Sequence, residues 1–228
     1  MTVLVGLIQK KPDWTSAEFD RRWRGHHATL TAQLPGLVRG EHNYIHDHVQ
    51  RGITFQRGPE QLDAFSMLWF DNDAAMSNAL ASPAGLALAA DEMQIIANLR
   101  TVTIDQREVI RPATDRPLIK RMSLLRRRSD VTADQFLHEW RIEHARLVCA
   151  INGVRGYRQN FVLSREAPKG NPVDYDDFPL DGIVELWFDD IESLNTAFAS
   201  PQGVALMTHA REFIEEITSF LVDLQVVA

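Results

Sequence analysis

A single cysteine, Cys149, in 228 residues leaves no internal disulfide framework and no CxxC or four-thiolate metal site. Long apolar runs are missing too: none approaches the roughly 20 residues a membrane helix needs. The opening MTVLVGLIQKKP has no basic segment ahead of its apolar stretch, so it reads as a strand rather than a secretion signal. A cytoplasmic protein with no membrane partner is expected. Basic residues are in the minority, 24 Lys and Arg against 31 Asp and Glu, for a net charge of -7. A broad electrostatic footprint for nucleic acid is therefore not expected. Absent as well are GxGxxG, a P-loop and Gly-x-Ser-x-Gly, which argues against Rossmann cofactors, nucleotides and α/β-hydrolase chemistry. What remains, 45% hydrophobic and 24% charged, is the composition of an ordinary globular chain.

The chain contains itself twice. At an offset of 117, Phe19-x3-Trp23-Arg24-x2-His27-Ala28-x-Leu30 recurs as Phe136-x3-Trp140-Arg141-x2-His144-Ala145-x-Leu147. At an offset of 118, Leu62-Asp63, Leu68-Trp69-Phe70-Asp71 and Ser82-Pro83-x-Gly85 recur as Leu180-Asp181, Leu186-Trp187-Phe188-Asp189 and Ser200-Pro201-x-Gly203. Near-constant offsets mean two copies of one unit, residues 1–111 and 117–228, joined by a linker at Arg111-Pro112-Ala113-Thr114-Asp115-Arg116-Pro117.

Each copy reads β-α-β-β-α-β. Strand one is Val3 to Gln9, or Leu118 to Leu125. Helix one opens on a capping box, Thr15-x-x-Glu18 or Thr132-x-x-Gln135. Strand two follows the Gly36 or Gly153 turn, and strand three is Phe65 to Phe70 or Ile183 to Phe188. Helix two starts at Ser82-Pro83 or Ser200-Pro201, with serine as cap and proline at the first helical position. The last strand is Thr101 to Ile110, or Ser219 to Val227. Two long polar loops, about Gln50 to Gln61 and Ser164 to Pro179, are of a length usual for lids or binding loops. The acidic residues Asp174, Asp176, Asp177 and Asp181 are expected to keep the second loop soluble. Such a unit forms a four-stranded antiparallel sheet with both helices on one face. Strand three is apolar on both faces, Phe65, Met67 and Trp69 against Leu68 and Phe70, so its second face needs a cover. The other copy supplies one, sheet against sheet.

The Phe-x3-Trp-x3-His helix, Tyr157-Arg158-Gln159-Asn160, the Glu185 to Asp189 strand and the Ser-Pro-x-Gly helix start resemble the EthD-domain family of the dimeric α/β-barrel superfamily. The resemblance covers nearly the whole chain, twice. It implies an α+β fold of two ferredoxin-like units whose sheets pair into a barrel, usually from separate chains and here fused. The chain would be a pseudo-dimer in itself, with further homodimerisation left open. Enzymes of that family include cofactor-independent isomerases, cyclases and decarboxylases acting on lactones or polyketide-like acids, while many members have no assigned activity. It implies a small-molecule enzyme without cofactor. A non-catalytic binder, or a metal- or haem-dependent monooxygenase of the superfamily, is the alternative.

His27 and His144 are the first candidates for catalysis, as bases beside an apolar cavity between helix and sheet; the competing reading is a structural imidazole. In a regular helix each lies roughly 80° round from Phe19 or Phe136, at the edge of the apolar stripe. Around His144, Tyr157, Asn160 and Glu185 complete a candidate set. Glu185 is an acid-base partner or an ion-pair partner of Arg141 or Arg155, and Tyr157 and Asn160 are donors to an enolate oxygen. Trp23, Trp69, Trp140 and Trp187 are core or pocket walls, with Asn43 and Tyr44 beside them. Arg24 and Arg141 are carboxylate clamps or surface salt bridges. His42, Tyr44, His46 and His48 share one strand face; His46-x-His48 suits a two-histidine metal site, but no third ligand is evident and no metal is expected. With Met67 at the position of Glu185, the two pockets are not expected to be equivalent.

Overall fold

The structure, a computed structural model, describes residues 1–113 and 115–228; Thr114 of the linker lies outside the described residues. The first half runs β1 (Thr2–Lys10), α1 (Ser16–Arg22), a π-helical turn (Trp23–His27), α2 (Ala28–Ala32), β2 (Leu37–Asp47), β3 (Ala64–Phe70), α3 (Asp73–Ala81), α4 (Pro83–Ile95) and β4 (Ile96–Ile110). The second repeats it: β5 (Ile119–Arg127), α5 (Ala133–Glu139), a π-helical turn (Trp140–His144), α6 (Ala145–Cys149), β6 (Gly156–Glu166), β7 (Gly182–Phe188), α7 (Ile191–Ala199), α8 (Pro201–Phe213) and β8 (Ile214–Val226). Both capping boxes form as the spacing predicts.

Two features differ from the sequence reading. A short helix precedes each Ser-Pro cap, started by the side chains of Asn72 and Asp190. The final strands begin at Ile96 and Ile214 rather than Thr101 and Ser219, because their first residues pair with the far ends of β1 and β5, Lys10↔Ile96 and Arg127↔Ile214.

The strands close into one barrel in the order β1-β3-β2-β8-β5-β7-β6-β4. Each half contributes four neighbouring strands, and the seams are β2 with β8 and β4 with β6, all antiparallel. The inner faces meet in an apolar lumen that includes Val5, Phe65, Met67, Val102, Met122, Ile183 and Phe220. The helices cover the outside, over Leu68 and Phe70 in one half and Leu186 and Phe188 in the other. Both faces of strand three are thus buried, as its composition requires.

The repeated Leu-Asp pair closes one end of the barrel. Leu62 and Leu180 enter the lumen cluster, while the carboxylates of Asp63 and Asp181 accept the backbone N–H of Lys10 and of Arg127 at 2.9 and 2.8 Å. Asp181 is buried against Arg127 and the Tyr175 hydroxyl. It is not the solvated lid residue the acidic run suggested; a bound carboxylate at the strand end satisfies a backbone donor that water cannot reach.

The two long loops cross to the opposite half. Ile53 and Phe55 join the helix-side core of the second half. Lys169 of the other loop donates its backbone N–H to the Leu99 carbonyl and its ammonium to Glu92.

The Ser-Pro-x-Gly motif also has a packing reason. A Cβ on Gly85 would fall on the carbonyl oxygens of Ala79 and Leu80, and one on Gly203 on those of Ala197 and Phe198. These contacts lie far inside van der Waals distance and involve backbone that cannot step aside. Gly203→Ala is expected to destabilise the protein by about 1–3 kcal/mol despite alanine's better helix propensity. Urea unfolding followed by circular dichroism measures it, and an unchanged midpoint would contradict this packing.

Candidate functional site

Equivalent positions in the two halves carry different chemistry beneath the helix layers. The ladders align Val5 opposite Met67 with Met122 opposite Glu185. Arg121 therefore stands where the first half has Leu4, and Ser123 where it has Gly6. On the neighbouring wall, Glu41 opposite Met67 aligns with Arg158 opposite Glu185, which sets Tyr157 against Gly40 and Gln159 against His42.

In the second half these changes leave a cavity of about 30 Å³ between sheet and helices. That is about the space of one water molecule. Its walls include Arg121, Ser123, Trp140, His144 and Tyr157, with Ile53 from the crossing loop. The Arg121 guanidinium is buried, lies over the Phe198 ring at 4.2 Å, and donates to the Arg51 carbonyl at 3.2 Å. No carboxylate among the described residues pairs with it, and burial alone pushes its pKa down to about 9, so it stays charged at neutral pH. Arg121 Nε and Ser123 Oγ are buried without a hydrogen-bond partner. The Tyr157 hydroxyl accepts a bond from Gln159 Nε2 at 2.7 Å, and burial raises its pKa.

His144 leaves the π-helical turn into this wall. The turn replaces regular helical phase at that point, and both helix histidines end inside the helix–sheet layer rather than at its edge. His144 Nδ1 lies 3.4 Å from His209 Nδ1, and His209 Nε2 lies 3.3 Å from Glu139 Oε2. The carboxylate can only accept, so His209 Nε2–H donates to it, and a neutral His209 then accepts at Nδ1 from His144 Nδ1–H. The unprotonated Nε2 of His144 is then the basic atom. Burial, followed by the nearby His209, depresses the His144 pKa to about 3, so this ring is neutral at neutral pH.

The first half has inverted the relay. Asp91, the equivalent of His209, accepts from His27 Nδ1 at 2.8 Å and is also bound by Arg22, the equivalent of Glu139. Burial works to raise the Asp91 pKa, but the bonds from His27 and Arg22 hold it below the usual range. The rings of Trp23, His27 and His42 stack with centroids 4.4–5.4 Å apart where the second half has its cavity. His42 is buried, and burial pushes its pKa down to about 3.

The structure brings His144, Tyr157 and Trp140 together and separates the other expected partners. Tyr157 and Asn160 are three residues apart on one strand and so face opposite ways. Asn160 and Glu185 point into the barrel lumen, where Asn160 Nδ2 donates to Glu185 Oε1 at 2.9 Å. Glu185 pairs with Lys120 at 2.6 Å, not with Arg141 or Arg155. Trp69, Trp187 and Asn43 are buried in the barrel; Trp69 Nε1 donates to Gln106 and Asn43 accepts from Lys120. Arg141 is held by Asp105 and Arg24 by Asp20 and Asp223, so neither clamps the cavity. Tyr44 lies under the Arg24 guanidinium near the start of α1. His42, His46 and His48 do not converge: His42 stacks on Trp23, His46 faces Asp223, and His48 meets the Phe220 edge. Among the described residues no group of three His, Cys, Asp or Glu could hold a metal ion.

Arg121, Ser123 and His209 were not singled out in the sequence. A signal existed in the comparison of the copies, where Leu4, Gly6 and Asp91 become Arg121, Ser123 and His209.

The EthD domain family matches residues 11–98 and again 128–217. The chain belongs to the EthD domain family. Solved structures of the same fold span both halves. A proposed monooxygenase from Fusobacterium nucleatum subsp. nucleatum is 12% identical over 99% of this chain and 93% of its own, with a TM-score of 0.65. An anthrone oxidase-like protein is 11% identical over 100% and 93%, with a TM-score of 0.64. A proposed monooxygenase from Lactobacillus acidophilus is 10% identical over 99% and 94%, with a TM-score of 0.58. At these identities the likeness is one of fold. Among curated proteins no sequence matches the chain. Among the described residues no helix is long and apolar enough to cross a membrane.

The two buried imidazoles make stability depend on pH. Folded His42 and His144 stay neutral down to about pH 3, whereas unfolded histidines bind protons near 6.5. Below about pH 6.5 the unfolded state therefore holds more protons, and stability is lost as pH falls, by about 1.4 kcal/mol per pH unit for each ring. The urea midpoint is expected to drop between about pH 7 and 5, and His144→Gln to reduce that slope by about half. A midpoint independent of pH over this range would show that the rings are accessible to protons.

Proposed function

We propose that the protein is a small-molecule enzyme that moves a proton on an anionic carbonyl compound held beneath the second helix layer, without a cofactor. The observation that carries this is Arg121, a buried cation with no counter-ion, in the same wall as a neutral His144 whose Nε2 is left unprotonated. An unpaired buried charge is costly, and a bound carboxylate or enolate supplies the missing partner.

The roles follow from the donors present. Arg121 Nε and Ser123 Oγ, both without protein partners, take the substrate's oxygens. Tyr157, already accepting from Gln159, has its own O–H to donate to charge that develops on a carbonyl oxygen. His144 Nε2 removes a proton from the carbon beside that carbonyl. The positive charge formed on the imidazole is shared through His209 with Glu139, whose carboxylate is half-exposed and can exchange the proton with solvent. Isomerisation, cyclisation and decarboxylation all pass through such an enolate. The cavity is closed by Ile53 and the Gly52–Phe198 contact, so entry of a substrate requires the crossing loop to lift. The first half has no equivalent cation, and His27 is tied to Asp91 and stacked on the Trp23 ring; its part is structural.

The His144 site does not fit the haem-dependent alternative, because the far ring nitrogen, Nδ1, is committed to His209 rather than to a carboxylate or backbone carbonyl.

Deuterium uptake from D₂O by a panel of enolisable aromatic and polyketide-like acids, read by mass spectrometry, tests the reading. His144→Gln is expected to slow exchange about 100-fold or more, and Arg121→Met to raise the apparent KM, while His27→Gln leaves exchange within a few-fold. Exchange unaffected by His144→Gln removes the proposed base. Acids that bind and lose affinity in Arg121→Met, yet never exchange, make the protein a binder instead.

A further inference from the structure

A polar layer crosses the barrel lumen, and its charges are shared unequally between the two halves. Lys120 Nζ lies 2.6 Å from Glu185 Oε2, 3.3 Å from Glu41 Oε2 and 2.8 Å from Asn43 Oδ1. Arg158 lies 3.4 Å from Glu41, 3.7 Å from Glu185 and 3.1 Å from Glu108 at the rim. Asn160 donates to Glu185 and accepts from Gln106 Nε2 at 2.7 Å, across the seam between β4 and β6. Both cations are thus paired, each with carboxylates of both halves.

Glu41, Lys120, Arg158 and Glu185 are buried. Burial works to raise the Glu41 pKa, but Lys120, Arg39 and Arg158 hold it below the usual carboxylate range, so it stays ionised. Stability is no sufficient reason for such a network, because apolar side chains in its place are commonly neutral or stabilising. Duplication did not copy it either. Strand register sets Lys120, Glu185 and Arg158 at the positions of Val3, Met67 and Glu41. It sets Gln106 and Glu108 at those of Leu224 and Val226. The buried charge of this layer is therefore one negative in the first half, Glu41, and one positive in the second, Lys120 and Arg158 against Glu185.

Both halves have the same fold, so each sheet has the shape to close on a second copy of itself. Two chains would then give one barrel of two first halves and one of two second halves, with as many seams as before. Charge pairing is what these barrels lose. Between two first halves, β4 would meet β2 as it meets β6 here, which sets Glu108 opposite Glu41 in place of Arg158. Val3 would stand where Lys120 does. The half-exposed Arg39 travels with Glu41 into any pairing, so Glu41 would keep one cation at the rim in place of three. Between two second halves, Lys120 would meet Arg158 in place of Glu41, and Leu224 would meet Asn160 in place of Gln106. Like charges set against each other across strands, away from water, suppress the wrong partner.

We propose that this layer is a recognition surface between the halves, built so that each accepts the unlike half and rejects a second copy of itself. The partner it fits is a sheet of the same fold and opposite buried charge. The unlike half of the same chain meets that description and is tethered within reach.

Refolding tests it. The full chain is refolded from urea at about 0.2 mM, below the roughly millimolar effective concentration of tethered halves. It is then cut at a protease site placed in the linker and weighed by native mass spectrometry, in which unlike pairs and the two kinds of like pair differ in mass. Wild type is expected to give unlike pairs alone, whether chains close on themselves or exchange halves. Glu41→Gln with Lys120→Met leaves neither half a net buried charge in this layer. Like pairs are then expected to reach on the order of a tenth of the product, the share that tethering alone permits. The fourfold variant Glu41→Met, Lys120→Val, Arg158→Met and Glu185→Met repeats the test with an apolar layer, and decides it if the double variant fails to fold. Like pairs from the wild type overturn the proposal. So do unlike pairs alone from a folded variant, which would place the choice of partner in the crossing loops.

Discussion

Strand pairing across the two seams is the constraint from which the rest of the structure follows. A lone β-α-β-β-α-β sheet would present two unpaired edges and an apolar inner face to water, each of them costly. Pairing β4 with β6 and β2 with β8 removes both edges of both sheets at once and turns two exposed faces into one closed lumen. Fusion makes that closure intramolecular, so it does not depend on protein concentration. The crossing loops strengthen it, since each covers the helix layer or sheet end of the other half.

With closure secured by backbone pairing and a shared apolar lumen, side chains at equivalent positions were free to diverge. The first half kept Leu4, Gly6 and the Trp23–His27–His42 stack, and its helix histidine is held by a carboxylate. In the second half, Arg121 and Ser123 sit beneath helices that place His209 and Glu139 behind His144. One exchange of charge, Asp91 and Arg22 against His209 and Glu139, changes what the helix histidine can do. Nδ1 of His27 donates to a carboxylate in a packed layer, while that of His144 donates into a chain that ends near solvent. The same divergence on the inner face produced Lys120 and Glu185 from positions that are Val3 and Met67 in the first half. Two faces of one sheet thus carry different chemistry, a lone cation under the helices and a network of paired charges in the lumen.

The architecture was legible because it is written in repeated local signals. The capping boxes, the Ser-Pro caps, the Gly turns and the two-faced apolar strand each depend on residues near in sequence, and their recurrence at a constant offset named the partner for the exposed sheet. Helix-one histidines facing the sheet were legible for the same reason. The short helices α3 and α7 were not, because the Ser-Pro signal masks the end of one helix by announcing the start of the next. Grouping Glu185 and Asn160 with His144 went astray at a different level: strand alternation sets Tyr157 and Asn160 on opposite faces, and only one of those faces looks at the helices.

By itself the sequence determined the doubled α+β unit and the closure of one sheet by the other, since periodicity, caps and turns act over a few residues; the full burial of His27 and His144 came from the π-helical turns. Tertiary structure alone decided which charges meet. Glu41 and Arg158 face each other from opposite walls, Asn43 reaches Lys120 across a seam, and the Arg51 carbonyl comes from the far half to Arg121. Such pairings depend on barrel closure and strand register, where a shift of one residue turns every side chain to the other face.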